Sequence, residues 1–237
     1  MVRSGTWRFS SDEAARSAKE IYQSYSELFG RPAGDNALLV LAARSGYPGS
    51  EEWEAEVRGL TAIIVSSDPA TGTRSLQRFH EQLRHELFHF WIPNAVNLRG
   101  NYAWFYEGFA LYQSLRTALA LNRISFNDFL ETISKAYAID RAVVDRKPLV
   151  DISMDRRSRH SAELYARGLM VAFLTDVAML ERSGGKRSVE TLIRDIFLSH
   201  SGKAGSADGN EAVLLAMKGR SELSLIARDL VEGSSRP

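Results

Sequence analysis

The chain has 237 residues, of which 44% are hydrophobic and 25% charged, with a formal net charge of +1 and no cysteine. Such a chain fits one ordinary globular domain, or a domain with a small lobe, and its near-neutral charge argues against a nucleic-acid partner or a polybasic membrane contact. Without cysteine there are no disulfides and no thiolate metal sites, so any metal must be held by histidine and carboxylate.

Residues Met1 to Trp7 lack the apolar core of a signal peptide, and no apolar stretch is long enough to span a bilayer, so no membrane insertion is expected. Ser10 followed by Glu13 is a capping-box signature. The helix it opens carries Ala15, Ala18, Ile21, Tyr22, Tyr25 and Leu28 on a stripe and is stopped by Gly30 and Pro32. Ala37 to Leu41 reads as a buried strand, and Gly46 to Gly49 as a turn. Glu51, Glu52, Glu54 and Glu56 read as a solvated loop, and Leu60 to Val65 as a second strand. The expected organisation is a single domain: residues 1–72 form a small β-containing lobe, and residues 73–237 a helical lobe.

The helix from Thr73 to Trp91 has an apolar stripe, Leu76, Phe79, Leu83, Leu87 and Phe90, at helical spacing. Off that stripe lie His85, Glu86 and His89. Histidines four apart project from one helix face, so both rings can reach one ion, while Glu86 can lean over the ion's open side without binding it. After a polar return broken by Pro93 and Gly100, a second helix from Ala103 to Leu121 presents Glu107, with Asn122 as its C-terminal cap. His85, His89 and Glu107 make the ligand set of a catalytic zinc that keeps its fourth position for water.

Ser125 opens another helix with Phe126, Phe129, Leu130 and Ile133 inward. Residues Asp140 to Arg159 read as a long basic loop carrying Arg141, Arg146, Lys147, Arg156, Arg157 and Arg159. Helices follow over Ser161 to Glu181 and Ser188 to Ser199. Ser201 to Asn210 reads as a flexible connection, and two short helices, Glu211 to Met217 and Ser221 to Val231, end the chain. Of the other histidines, His80 has the wrong helical phase for the same ion and reads as a surface residue, His200 as a helix end, and His160 as a loop residue. Trp91, Trp104, Phe105 and Tyr106 read as core beside the metal helices, with a cleft lining as the alternative.

With both helices placed, the chain resembles a gluzincin, the metallopeptidase group whose third zinc ligand is a glutamate on a following helix. Within that group it is most similar to the catalytic domain of the glycyl aminopeptidase family, bacterial proteins that usually carry a PDZ domain after it. The segments that carry the likeness are Glu27–Gly30, His85–Trp91, Trp104–Tyr112, Tyr165–Gly168, Gly184–Ser188 and Val231–Gly233. The resemblance implies an α+β, mostly helical, thermolysin-like fold, one Zn²⁺ per chain and a peptide or protein substrate. It also implies Glu86 as general base and Tyr165 as the donor to the oxyanion, with His160 as runner-up. Two departures accompany it. The flanking β and PDZ domains of such proteins are not in this sequence. Thr61 stands where the family's strand carries an acidic residue that holds the substrate amine, and a hydroxyl cannot neutralise an ammonium, so aminopeptidase and endopeptidase activity both remain open. The competing expectation is a zinc-containing module that binds peptides without turnover.

Overall fold

Ser10 opens the first helix as its spacing to Glu13 predicts. Its Oγ accepts from the Glu13 N–H at 3.1 Å, while the Glu13 carboxylate accepts from the Ser10 N–H at 2.7 Å. Helix α1 (Ser11–Phe29) ends at Gly30, whose φ of 77° is a left-handed stop. Its buried stripe is Ala14, Ser17, Ile21, Tyr25 and Leu28. The face is therefore rotated from the predicted one, for Ala15 is exposed and Ala18 and Tyr22 are only half-buried.

The computed structural model describes residues 1–44, 52–67, 72–154, 161–202 and 207–237. These form two compact units, Met1–Asn94 and Ala95–Pro237. The helix carrying His85 and His89, which the sequence grouped with the helical lobe, belongs to the first.

That first unit contains a four-stranded sheet in the order β1 (Val2–Ser4), β2 (Leu38–Arg44), β4 (Thr61–Ser67), β3 (Glu52–Arg58). β1, β2 and β4 run parallel, and β3 pairs antiparallel with β4 through the tight return at Gly59 and Leu60. The predicted strands are β2 and β4; the two edge strands are additions. Glu52, Glu54 and Glu56 are not in a loop but form the exposed face of β3, alternating with half-buried Trp53, Ala55 and Val57. The predicted turn at Gly46 to Gly49 lies outside the described residues. Helix α2 (Gly72–Phe88) packs on α1 and on β3 and β4.

The second unit is nearly all helix. A two-residue parallel pair, β5 (Leu98–Arg99) with β6 (Ala207–Asp208), ties its start to its C-terminal part. Helix α3 (Ala103–Ala120) closes on Asn122 at φ 52°, with Arg123 N–H to Ala118 O and Asn122 N–H to Leu119 O. Helix α4 (Phe126–Ala142) buries Phe129, Ile133, Ala136 and Asp140, but Phe126 and Leu130, expected inward, are exposed.

The region read as a basic loop is shorter than expected. α4 runs on to Ala142, and α5 (Leu149–Met154) follows. Nor is Arg146 merely solvated: it donates to buried Asp140 and to Ser235 O. Arg156, Arg157, Arg159 and His160 lie outside the described residues. The remaining helices are α6 (Ser161–Ser183), α7 (Val189–His200), α8 (Gly209–Lys218) and a terminal turn, Ser224–Ile226, that continues as a π-helix over Ala227–Glu232. Among the described residues, no helix is long and apolar enough to cross a membrane.

Candidate metal centre

Phe79, Leu83, Leu87 and Phe90 are buried, so the apolar stripe of α2 faces the core as its spacing requires. The α-helix stops at Phe88. The chain then tightens into i to i+3 bonds: His89 N–H to Glu86 O at 3.1 Å, Phe90 N–H to Leu87 O at 3.2 Å and Trp91 N–H to Phe88 O at 3.1 Å. His89 therefore sits in a tightened turn, and its ring is oriented by Nδ1, 3.0 Å from the Ile92 carbonyl. A nitrogen facing a carbonyl carries the proton, which in the neutral ring makes His89 Nε2 the nitrogen with the lone pair. That Nε2 lies 3.1 Å from Nε2 of half-buried His85.

Two nitrogens sharing a tetrahedral zinc at the usual bond length sit about 3.3 Å apart, so the imidazoles are already close to ligand spacing. Glu86, between them in sequence, is buried. Glu107 lies on the first turns of α3 and is half-buried. His85 and His89 belong to the first unit and Glu107 to the second. Two imidazoles, one carboxylate and no thiolate make the donor set of an open zinc site, so the residues present fit the metal.

The end of α2 is held by rings. Phe29 stacks on Trp91 with centroids 5.2 Å apart, and Tyr25 meets Phe88 edge-on at 5.9 Å. The Tyr25 hydroxyl donates to Arg84 O at 2.7 Å, and Trp91 Nε1–H donates to Arg31 O at 3.0 Å. Trp91, Trp104 and Phe105 are fully buried core residues; Tyr106 is half-buried. The Tyr106 hydroxyl donates to Asn101 Oδ1 at 3.2 Å, and burial, assisted by the negative charge of Glu107, raises its pKa above the ordinary value.

His80 is not a surface residue. It is buried beside Arg84, with Glu20 of α1 at 3.9 Å.

Tyr165 lies in the second turn of α6 and is half-buried. Two residues on, buried Arg167 donates to Glu163 and to Lys147 O, each at 2.7 Å, with Asp140 at 3.6 Å. Burial pushes the Arg167 guanidinium pKa down, and Glu163 opposes that shift. The sequence reading missed this cluster, although the i, i+4 pair Glu163–Arg167 was legible; Asp140, distant in sequence, was not. His200 ends α7, as predicted, and its carbonyl accepts from Asn97 N–H at 2.9 Å. Thr61 begins β4, paired with Leu38 on one side and Arg58 on the other.

Among solved structures the chain is similar to an aminopeptidase N family protein from Idiomarina loihiensis, with TM-score 0.82 and 13% identity over 98% of this chain. It is also similar to an M1 zinc metallopeptidase from Deinococcus radiodurans, a variant of which was solved with Tyr-Ser-Ala, with TM-score 0.65 and 22% identity over 98% of this chain. A two-domain M1 zinc metallopeptidase variant bound to L-tryptophan matches at TM-score 0.64 and 21% identity over 97% of this chain. The fold is shared with zinc metallopeptidases. This chain spans 44% to 46% of the length of those structures. No protein-family model and no curated protein matches it.

Proposed function

We propose that the chain is the catalytic region of a zinc-dependent peptidase of gluzincin type, in which His85, His89 and Glu107 hold one Zn²⁺ and Glu86 and Tyr165 act on the substrate. The observation that carries this reading is the facing pair of imidazole nitrogens of His85 and His89 at 3.1 Å. The peptidase fold of the structural neighbours and the unbroken His85-Glu86-Leu87-Phe88-His89 sequence add support.

Zinc bound by this set lowers the pKa of a water to about 7 and polarises a carbonyl. Glu86 is the base that takes the proton from the attacking water and returns it to the leaving amine. Tyr165 donates its phenolic O–H to the oxygen that gains negative charge. The Ile92 carbonyl fixes the His89 tautomer and raises the basicity of its Nε2. On sequence likeness, we place the chain nearest the glycyl aminopeptidase family. Thr61 supplies no charge for a substrate ammonium, so free and blocked peptides are both candidate substrates.

The test is a peptide pool and its N-acetylated twin, incubated with zinc-loaded protein, with and without chelator, and read by mass spectrometry. Chelator-sensitive trimming of free N-termini alone makes it an aminopeptidase; chelator-sensitive internal cuts in acetylated peptides make it an endopeptidase. Glu86→Gln is expected to retain stoichiometric zinc and lose on the order of a hundredfold or more in rate. No cleavage by the zinc-loaded wild-type chain would refute the peptidase reading in favour of peptide binding.

A further inference from the structure

Glycines 108 and 168 have ordinary helical backbones, so their lack of a side chain answers to space rather than to φ. A Cβ on Gly108 would lie 2.3 Å from the carbonyl carbon and 2.4 Å from the Cα of Gly168. A Cβ on Gly168 would lie 2.5 Å from Trp104 O and 2.9 Å from Gly108 Cα. Every one of these obstacles is backbone. No rotamer change relieves them, so a methyl group at either position must move one helix against the other.

α3 and α6 thus cross backbone to backbone, and the crossing lies next to two side chains with proposed chemical roles. Glu107 is bonded to Gly108. Tyr165 precedes Gly168 by three residues, which places both on neighbouring positions of one helix face. Trp104 O is the carbonyl that the Gly108 N–H reaches in a regular helix, so the crossing also bears on the turn that carries Glu107. The first turns of α6 are anchored independently by Arg167, which donates to Lys147 O and lies 3.6 Å from Asp140 of α4. The helix can therefore shift only by giving up contacts on one side or the other.

We infer that Gly108 and Gly168 are positioning residues: their contact sets the separation between the Glu107 carboxylate and the Tyr165 hydroxyl, and hence the reach of Tyr165 to the oxyanion. The inference rests on the peptidase reading above, and its experiment separates the two.

The experiment is a cycle of wild type, Gly168→Ala, Tyr165→Phe and the double variant, assayed on the peptide that the wild-type chain cleaves fastest. Zinc content after dialysis and far-UV circular dichroism are measured on each protein. Gly168→Ala is expected to keep its zinc and its fold, and to lose on the order of tenfold to a hundredfold in kcat, with KM changed by less than about twofold. In the Tyr165→Phe background the same change is expected to cost nothing further, because the group it misplaces is already gone.

An unchanged kcat in Gly168→Ala overturns the inference. So does a loss that multiplies fully with that of Tyr165→Phe, since the glycine would then serve packing alone. If Gly168→Ala does not fold, the cycle is run with Gly108→Ala, and failure of both to fold also counts against positioning. Absence of hydrolysis by the zinc-loaded wild type refutes the peptidase reading instead, and is seen before any variant is compared.

Discussion

In the first unit, α2 and the turn after it meet α1 largely through rings and a neutral hydrogen bond: Phe29 on Trp91, Tyr25 against Phe88, and the Tyr25 hydroxyl on Arg84 O, with His80 3.9 Å from Glu20. In the second, a buried carboxylate, Asp176 of α6, joins α3 and α7 at one point. Asp176 accepts from the Tyr112 hydroxyl at 2.7 Å and from Val189 N–H at 2.9 Å, and pairs with Arg116. Ring packing is graded, because each face contributes its own area and a partial loss leaves the rest in place. A buried charge is not graded. Its partners were desolvated on the condition that it be present, so its removal strands all of them at once.

That difference predicts where the molecule breaks most easily. Asp176→Ala leaves Arg116 without its nearest countercharge and leaves the Tyr112 hydroxyl and Val189 N–H without their acceptor. It is expected to cost about 3–5 kcal/mol, measured by urea unfolding. A loss under about 1 kcal/mol would mean that water or Glu190 replaces the carboxylate, and that the second unit is as forgiving as the first.

The sequence disclosed these two modes of support unequally. The facing of His85 and His89 was legible because it is local: two histidines four apart on a helix share a face wherever the helix sits. The caps at Ser10 and Ser125 were legible for the same reason, being devices four residues long. Strand β3 was missed although Trp53, Ala55 and Val57 alternate with Glu52, Glu54 and Glu56, because four glutamates outweighed the period of two. The phase of α4 was misread at Phe126 and Leu130 because apolar character alone does not say which apolar face meets a neighbour. Asp140, His80 and Arg84 were unreadable as buried groups, since burial of a charge depends on partners brought in by the fold. The Gly108–Gly168 contact joins residues sixty positions apart, and no local pattern announces it.

The neutral side of the comparison yields a smaller effect. Tyr25→Phe removes one hydroxyl from Arg84 O and keeps the ring against Phe88 and Trp91. The carbonyl still has its helical donor, so the expected loss is about 1 kcal/mol. Urea unfolding checks it. A loss as large as that of Asp176→Ala would mean that the hydroxyl, rather than the rings, seats α2.

The smallest expected effect comes from a device that both units share. The Glu13 carboxylate is held below its ordinary pKa by the backbone N–H and hydroxyl of Ser10. The Asp128 carboxylate is likewise lowered by the hydroxyl and backbone N–H of Ser125. A carboxylate whose folded pKa is depressed contributes stability that is fully present above its unfolded value and is lost as pH falls through the folded value. Both groups are exposed, so each contribution is small and screened by salt. Glu13→Gln and Asp128→Asn should each flatten, by a similar small amount, the fall in thermal midpoint between about pH 6 and pH 3. A much steeper dependence on one box than on the other would show that its helix start is coupled to the rest of its unit. The contrast between the units would then extend from how their helices pack to how those helices begin.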